Sequence, residues 1–311
     1  MPEYSIGVDL GGTNLRAAAV SREGRILDKT AGKTQLSEGR DAVITDIVDG
    51  IITMRDRCTG GRLAGVGIGV PGFIEIEKGF VVGSNNLPAL EGFPVRDEIE
   101  RRLGTPVILE NDANAAALGE KWIGAGRNVK DLVLLTLGTG IGGGIISNGR
   151  VLHGFVGMAG EIGHMTVIPN GNPCGCGNTG CLEKHASATA ISSMARLMSV
   201  GDDLTSADVY HLALEGEKRC LRIFESMGVA LGIAIGNLVN IFNFPLYLLS
   251  GGPLPAWDLF APPMLAEVER RSFTFRNSPT RIERAKLGNQ AGLYGAAYLP
   301  FQGMKAAASE R

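Results

Sequence analysis

Short apolar bursts open the chain, and longer stretches with helical spacing follow. Tyr4 to Asp9 predicts a buried strand, Leu10-Gly11-Gly12-Thr13-Asn14 a tight polar turn, and Leu15 to Val20 a second strand. After the Glu23-Gly24 turn, Arg25 to Thr30 predicts a third. This opening is a meander, not a βαβ unit. From Asp41 to Arg57 the apolar positions Val43, Ile44, Ile47, Val48, Ile51 and Ile52 fall on one helical face, and Gly60-Gly61 ends the segment. Leu63 to Val70 then predicts a strand, Val95 to Leu103 a helix, Pro106 to Leu109 a strand and Ala-rich Asn114 to Lys121 a helix. The order is β-β-β-α-β-α-β-α.

The pattern recurs after Asp131. Leu132 to Leu137 predicts a strand, a glycine turn follows, and Gly144 to Ile146 and Arg150 to Leu152 read as the next two strands of a second meander opening a second lobe. Helices are expected over Ala186 to Met198, Ser206 to Glu215 and Glu217 to Phe242, before a strand at Leu246 to Leu249 and a third glycine turn at Ser250-Gly251-Gly252. Gln290 to Leu299 predicts a closely packed helix, and the tail Lys305 to Arg311 is expected to fray. The longest apolar stretch, Met227 to Gly236, stops at Asn237 and Asn240, short of the ~20 residues a membrane helix needs, and so predicts a buried helix. Met1 to Ser5 has no basic region or cleavage site, which points to a cytoplasmic protein.

A length of 311 residues suits two domains, enough for a core in each and a cleft. Hydrophobic residues at 44% and charged residues at 20% belong to an ordinary soluble globular chain. With 30 Lys+Arg against 32 Asp+Glu, no global field draws the protein to nucleic acid or anionic lipid. Small neutral or anionic ligands fit better. Glycine is the outlier at 45 residues, clustered without a fixed period, which suggests ligand-cradling turns. Of five cysteines, Cys174, Cys176 and Cys181 lie close together while Cys58 and Cys220 stand alone, an arrangement that argues for a metal over a disulfide framework. Gly32-Lys33-Thr34 resembles the end of a P-loop, but Leu27 stands where that motif needs glycine. The three GxGxxG matches, beginning at Gly67, Gly138 and Gly175, lack the following helix and acidic residue of a dinucleotide site.

Four constellations carry chemistry. Asp9-Leu10-Gly11-Gly12-Thr13 places a carboxylate at a strand end before two glycines and a hydroxyl, the makings of a phosphate hairpin with a Mg²⁺-facing acid, or of a plain hairpin capped by Asp9. Leu137 to Gly144 is a second such turn, so that two phosphate hairpins would clamp one nucleotide, with Ser250-Gly251-Gly252-Pro253 as a candidate adenosine shelf. Glu110-Asn111-Asp112-Ala113-Asn114 sits where a strand gives way to a helix; Asp112 could accept a hydroxyl proton there, or only cap the helix. His164 with Cys174, Cys176 and Cys181, spaced H-x9-C-x-C-x4-C, is a Cys3His set that closes a tetrahedral shell and favours structural Zn²⁺. Glu161 and Glu183 flank that set and could accept hydrogen bonds from vicinal hydroxyls, or be solvated surface charges.

Together Asp9 to Asn14, Glu110 to Asn114, Leu137 through Gly160-Glu161-Ile162-Gly163-His164, and Cys174 to Glu183 resemble the ROK family of repressors, uncharacterised reading frames and sugar kinases, most nearly the bacterial ATP-dependent glucokinases. The resemblance runs from about residue 4 to 299. It implies an α/β, actin-like ATPase (ribonuclease H-like) fold: two lobes around a central cleft, each with a mixed five-stranded sheet, the last helix returning to the N-terminal lobe. The lobes are expected at 1–111 with 296–311, and at 112–295 with the zinc loop. By the same resemblance Asp112 is the general base, Asn111, Glu161, His164 and Glu183 contact the sugar alongside Gly72 and Asn86, and His164 also ligates zinc. Asp9, Gly11, Gly12, Thr13, Asn14, Gly138, Thr139, Gly140, Gly142, Gly251 and Gly252 are the expected nucleotide residues. The implied reaction is Mg²⁺-ATP-dependent phosphorylation of a hexose, D-glucose at O6 first, by a homodimer or higher homo-oligomer with no nucleic-acid or membrane partner. Kinases of N-acetylglucosamine, N-acetylmannosamine or another hexose are the alternatives, and a sugar-responsive repressor, which would carry a helix-turn-helix ahead of Asp9, is a more distant one.

Overall fold

The computed structural model describes residues 2–84 and 86–309, with side chains of the C-terminal helix described as far as 302. In chain order the elements are β1 (Glu3–Leu10), β2 (Asn14–Ser21), β3 (Ile26–Lys33), α1 (Arg40–Arg57), β4 (Arg62–Val70), β5 (Phe73–Glu75), β6 (Phe80–Gly83), α2 (Val95–Leu103), β7 (Val107–Asn111) and α3 (Asp112–Trp122). There follow β8 (Leu132–Leu137), β9 (Ile141–Ser147), β10 (Arg150–Val151), α4 (Glu183–Ala186), α5 (Ala188–Leu197), α6 (Ser206–Leu214), α7 (Lys218–Phe242), β11 (Leu246–Gly251), α8 (Trp257–Arg271), β12 (Arg281–Arg284) and α9 (Ala291–Ser309). The strands form two five-stranded sheets with orders β3-β2-β1-β4-β7 and β10-β9-β8-β11-β12, and β5 and β6 form a separate hairpin. Both sheets are the same device: an antiparallel meander followed by strands added in parallel. The recurrence legible after Asp131 is thus a repeat of topology.

The chain divides into two compact units, Met1–Lys130 with Gly144–Ala159 and Lys286–Arg311, and Asp131–Gly143 with Gly160–Ala285. These bounds differ from the expected 1–111 with 296–311 and 112–295, for a packing reason. α3 lies against α9 through two glycines: a Cβ on Gly119 would sit 2.2 Å from the Ala291 carbonyl oxygen, and one on Gly295 would sit 1.6 Å from that of Ala115. α3 therefore belongs with the first unit, and so does the return of the chain from Lys286 onward.

In the first unit β1 and β4 are covered on both faces. Ile6, Val8, Val66 and Ile68 point into a core shared with Ile44, Ile47 and Ile51 of α1 and Ile99 of α2. Residues of opposite parity face α9. A Cβ on Gly7 would lie 2.4 Å from the Leu293 carbonyl oxygen and one on Gly67 2.0 Å from that of Ala296, so the helix rests on bare strand backbone. Ser5 Oγ, on the same face, donates to the Ala297 carbonyl at 2.5 Å. In the second unit Leu132 to Leu135 and Leu246 to Leu249 are consecutive buried positions, as expected of central strands buried on both faces. α7 is long and apolar enough by composition to cross a membrane, yet 67% of its most apolar stretch is buried, as in a core helix.

Several elements escaped the sequence pattern. α8 contains Pro262 and Pro263, which read as breakers. The Pro263 ring packs where Gly228 of α7 has no side chain, 2.7 Å from the position of a Cβ there. β12, Arg-Ile-Glu-Arg, is a polar edge strand without alternation to betray it. The β5–β6 hairpin and the single turn α4 are too short for periodicity to register. The tail expected to fray at Lys305 to Arg311 is helical to Ser309, while Glu310 and Arg311 lie outside the described residues.

Candidate active site and metal-ligand cluster

At the corner between β7 and α3 the chain must satisfy the first amide groups of a helix. Asn111 does so: its side-chain oxygen accepts from the N–H groups of Ala113 at 2.9 Å and Asn114 at 3.1 Å, making it the N-cap. The Asn111 amide nitrogen donates to the Gly72 carbonyl at 3.1 Å, tying the corner to the turn after β4. Gly72 has φ +118°, and a Cβ there would lie 2.4 Å from the Gly83 carbonyl oxygen, so this position requires glycine. The capping role open to Asp112 thus falls to Asn111. Asp112, at the first helical position, shares the Ala113 N–H, at 2.9 Å to Oδ1, and its carboxylate also takes hydrogen bonds from its own N–H and from the Asn111 side chain. Burial holds its carboxyl above the usual carboxylate range, against the hydrogen bonds that lower it.

The first glycine turn lies in the same unit. Gly11 N–H donates to the Asn14 carbonyl at 2.8 Å, and the Thr34 hydroxyl donates to the Gly11 carbonyl at 3.0 Å. Thr13 and Asn14 are exposed, and Gly12 approaches the backbone of Asn86 so closely that a Cβ would meet its carbonyl oxygen at 3.3 Å. Asn86 therefore abuts the glycine turn and Gly72 abuts Ser84, two neighbourhoods of one loop. Asp9 closes β1 with Oδ2 3.6 Å from Arg16 Nη1. Its carboxyl is also raised, by burial first, with Arg16 opposing and Asp112 adding repulsion.

In the second unit the turn after β8 leaves Gly138 and Thr139 exposed. The Gly138 carbonyl accepts from the Ala188 N–H at 2.9 Å. Gly140 lies against Glu183, whose Oε2 would be 2.1 Å from a Cβ there and accepts from the Ile141 N–H at 3.3 Å. Oε1 of Glu183 lies 4.0 Å from Cys174 Sγ, so one carboxylate touches both the glycine turn and the cysteine loop. Gly251, at φ +114°, seals the end of β8, since a Cβ would be 2.0 Å from the Leu137 carbonyl oxygen. Gly252 instead lines a cavity of about 300 Å³ with Tyr210 and His211 of α6, Phe224 of α7, Ser206 and Pro253.

The ligand atoms of His164, Cys174, Cys176 and Cys181 all lie within 4.8 Å of one another. Two sulfurs at ~2.3 Å from a tetrahedral ion are about 3.8 Å apart, and a sulfur and an imidazole nitrogen about 3.6 Å. The cluster has Cys176 Sγ to Cys181 Sγ at 3.7 Å and Cys174 Sγ to His164 Nδ1 at 3.6 Å. Burial beside its neighbouring thiols pushes Cys181 up to about 12, the proton affinity a central cation would offset. With Nδ1 turned to the sulfurs, His164 Nε2 lies 3.8 Å from Glu161 Oε2.

A model of the ROK family matches residues 5–302. The chain belongs to the ROK family. The glucokinase of Halalkalibacterium halodurans is 39% identical to it over 95% of this chain and 94% of its own. A ROK hexokinase structure from Thermus thermophilus is 33% identical with a TM-score of 0.88, covering 97% of this chain and 99% of that one. A ROK glucokinase from Streptomyces griseus, solved with glucose and AMPPNP, is 32% identical with a TM-score of 0.79, covering 96% and 99%. ROK relatives named as xylose repressors also match most of this chain. The two mixed sheets are those of the actin-like ATPase fold that the ROK hexokinases have.

Within this ROK chain the first unit brings together Asp9, Gly11 to Asn14, Gly72, Asn86, Asn111 and Asp112, and the second Gly138 to Gly142, Glu161, Glu183 and the Cys3His set. Two features were missed in the sequence. Tyr210 and His211 lie on a helix whose only signal was amphipathic spacing. His153 pairs with buried Glu110 at 2.7 Å, and no motif spacing marks that pair.

The raised carboxyl of Asp112 has a consequence for stability. A carboxyl whose folded pKa exceeds its unfolded value contributes fully below the unfolded value, and the contribution is lost as pH rises through the folded one. At pH 7, above the unfolded value, the Asp112 carboxyl therefore disfavours the folded state. Asp112→Asn is expected to raise the melting temperature at pH 7, with the gain fading as pH falls toward the ordinary carboxylate range and absent below it; calorimetry across pH reads this, and a lower melting temperature at pH 7 would contradict it.

Proposed function

We propose that the protein is an ATP-dependent glucokinase converting D-glucose to glucose 6-phosphate, with Asp112 as general base. The observation that carries this is the β7–α3 corner, where Asn111 takes over helix capping and leaves the Asp112 carboxylate available. The likeness to a glucokinase holding glucose and AMPPNP supports the substrate pair. Asn111, Glu161, His164 and Glu183 bind the sugar hydroxyls, beside Gly72 and Asn86. Asp112 takes the proton of the 6-hydroxyl, and that oxygen attacks the γ-phosphorus as its bond to the departing ADP oxygen breaks. The turns at Gly11 to Asn14 and at Gly138 to Gly142, with the Thr13 and Thr139 hydroxyls, receive the phosphates. The cavity beside Gly252, with Tyr210 and His211, takes the adenine.

Mg²⁺ accompanying ATP, held through Asp9, supplies charge neutralisation of the phosphates. His164, Cys174, Cys176 and Cys181 hold a structural Zn²⁺, whose role is to fix the loop from which Glu161 and Glu183 project; four protein ligands leave it no open position for catalysis. A cytoplasmic, homo-oligomeric enzyme completes the reading.

The test is ADP release with ATP across glucose, mannose, fructose, N-acetylglucosamine and N-acetylmannosamine. Glucose is expected to have the highest kcat/KM; preference for an N-acetylated sugar would move the assignment within the family, and no turnover with any would overturn it. Elemental analysis of purified protein is expected to find about one zinc per chain, and Cys181→Ser to abolish it together with sugar binding. Full turnover by a zinc-free sample would contradict the structural role.

A further inference from the structure

Beside Asp112 the structure holds a polar group that the reaction does not use directly. Glu110 precedes the helix cap and is 2% exposed. Its Oε1 accepts from the Asn111 N–H at 2.9 Å and from Asn114 Nδ2 at 3.1 Å. Its Oε2 meets His153 Nε2 at 2.7 Å. Asn114 is buried, turns its nitrogen to Glu110 and leaves its own Oδ1 without a partner, an orientation that a strong acceptor at Glu110 favours. His153 is held in turn by its loop: its carbonyl accepts from the Ala159 N–H at 3.0 Å, and Gly157 packs so that a Cβ would lie 2.7 Å from the Ile74 carbonyl oxygen of β5.

We infer that His153 and Glu110 form a buried positioning pair that sets the β7–α3 corner and, through it, the direction of the Asp112 carboxylate. Glu110 grips the main chain at Asn111 and the side chain at Asn114, one on each side of Asp112, and His153 is its remaining side-chain partner. The bond to Glu110 also raises the affinity of the His153 imidazole for its proton, which strengthens the pair. Loss of the imidazole leaves a buried carboxyl short of a donor, and the corner relaxes. A base displaced by a fraction of an ångström slows proton transfer while the groups that bind sugar remain.

This rests on the proposed kinase reading. The experiment compares His153→Ala, His153→Gln and Glu110→Gln by steady-state kinetics with glucose and ATP. His153→Ala and Glu110→Gln are expected to lower kcat by about tenfold or more with both KM values within about threefold, and His153→Gln, which keeps a neutral N–H donor, to restore most of the loss. A fall in melting temperature with kcat unchanged, or failure of Gln to rescue, would overturn the pair's role. If His153→Ala does not fold, a wild-type kcat in Glu110→Gln overturns the inference and a tenfold loss there supports it. Wild-type protein inactive on every sugar would instead refute the kinase reading and take this inference with it.

Discussion

A helix begins with amide groups that need acceptors, and the way α3 meets that need governs what this protein can do. Aspartate and asparagine are nearly equal as N-caps, so Asn111-Asp112 offers two candidates for one task. The backbone gives it to Asn111, extended at φ −63° and ψ 145°, whose amide takes two N–H groups at one end and gives a hydrogen to Gly72 at the other. An asparagine can accept and donate at once; an aspartate in its place could not hold the Gly72 carbonyl. The carboxylate is thereby left one residue into the helix, raised in proton affinity by burial and sharing the Ala113 N–H without being the cap. A carboxyl whose ionised form opposes folding at neutral pH is what a general base costs the fold.

The frame around that corner depends on missing side chains. α9 reaches β1 and β4 because Gly7 and Gly67 let helix carbonyls approach the strands, and it reaches α3 because Gly119 and Gly295 do the same between helices. The high glycine content is therefore only partly about ligands. Some glycines line turns open to an anion, such as Gly138; others, such as Gly251 against the end of β8, let main chain touch main chain. The reading of Ser250-Gly251-Gly252 as a shelf divides accordingly, with Gly251 structural and Gly252 lining the cavity.

Much of the architecture was legible because the central strands are apolar runs and the helices amphipathic: β8 and α2 fall at Leu132–Leu137 and Val95–Leu103 as their patterns predict. α8 was hidden because its two prolines signal a break, and only the facing glycine on α7 shows why the helix persists. The compact units depart from the expected limits because sequence order does not reveal that α3 packs on α9. In the candidate site the Cys3His set was legible from chemistry and spacing alone, and two of its separations, Cys176 Sγ to Cys181 Sγ and Cys174 Sγ to His164 Nδ1, are those of a tetrahedral shell. The contact of Glu183 with the glycine turn and the pairing of His153 with Glu110 join residues more than forty positions apart, which no local pattern encodes.

The most direct measurement compares wild type with Asp112→Ala in single-turnover phosphoryl transfer at saturating MgATP, with glucose affinity measured separately by calorimetry. A base freed by its neighbour's capping predicts glucose affinity within about threefold of wild type and a transfer rate lower by ~10² or more. A transfer rate near that of wild type would contradict it.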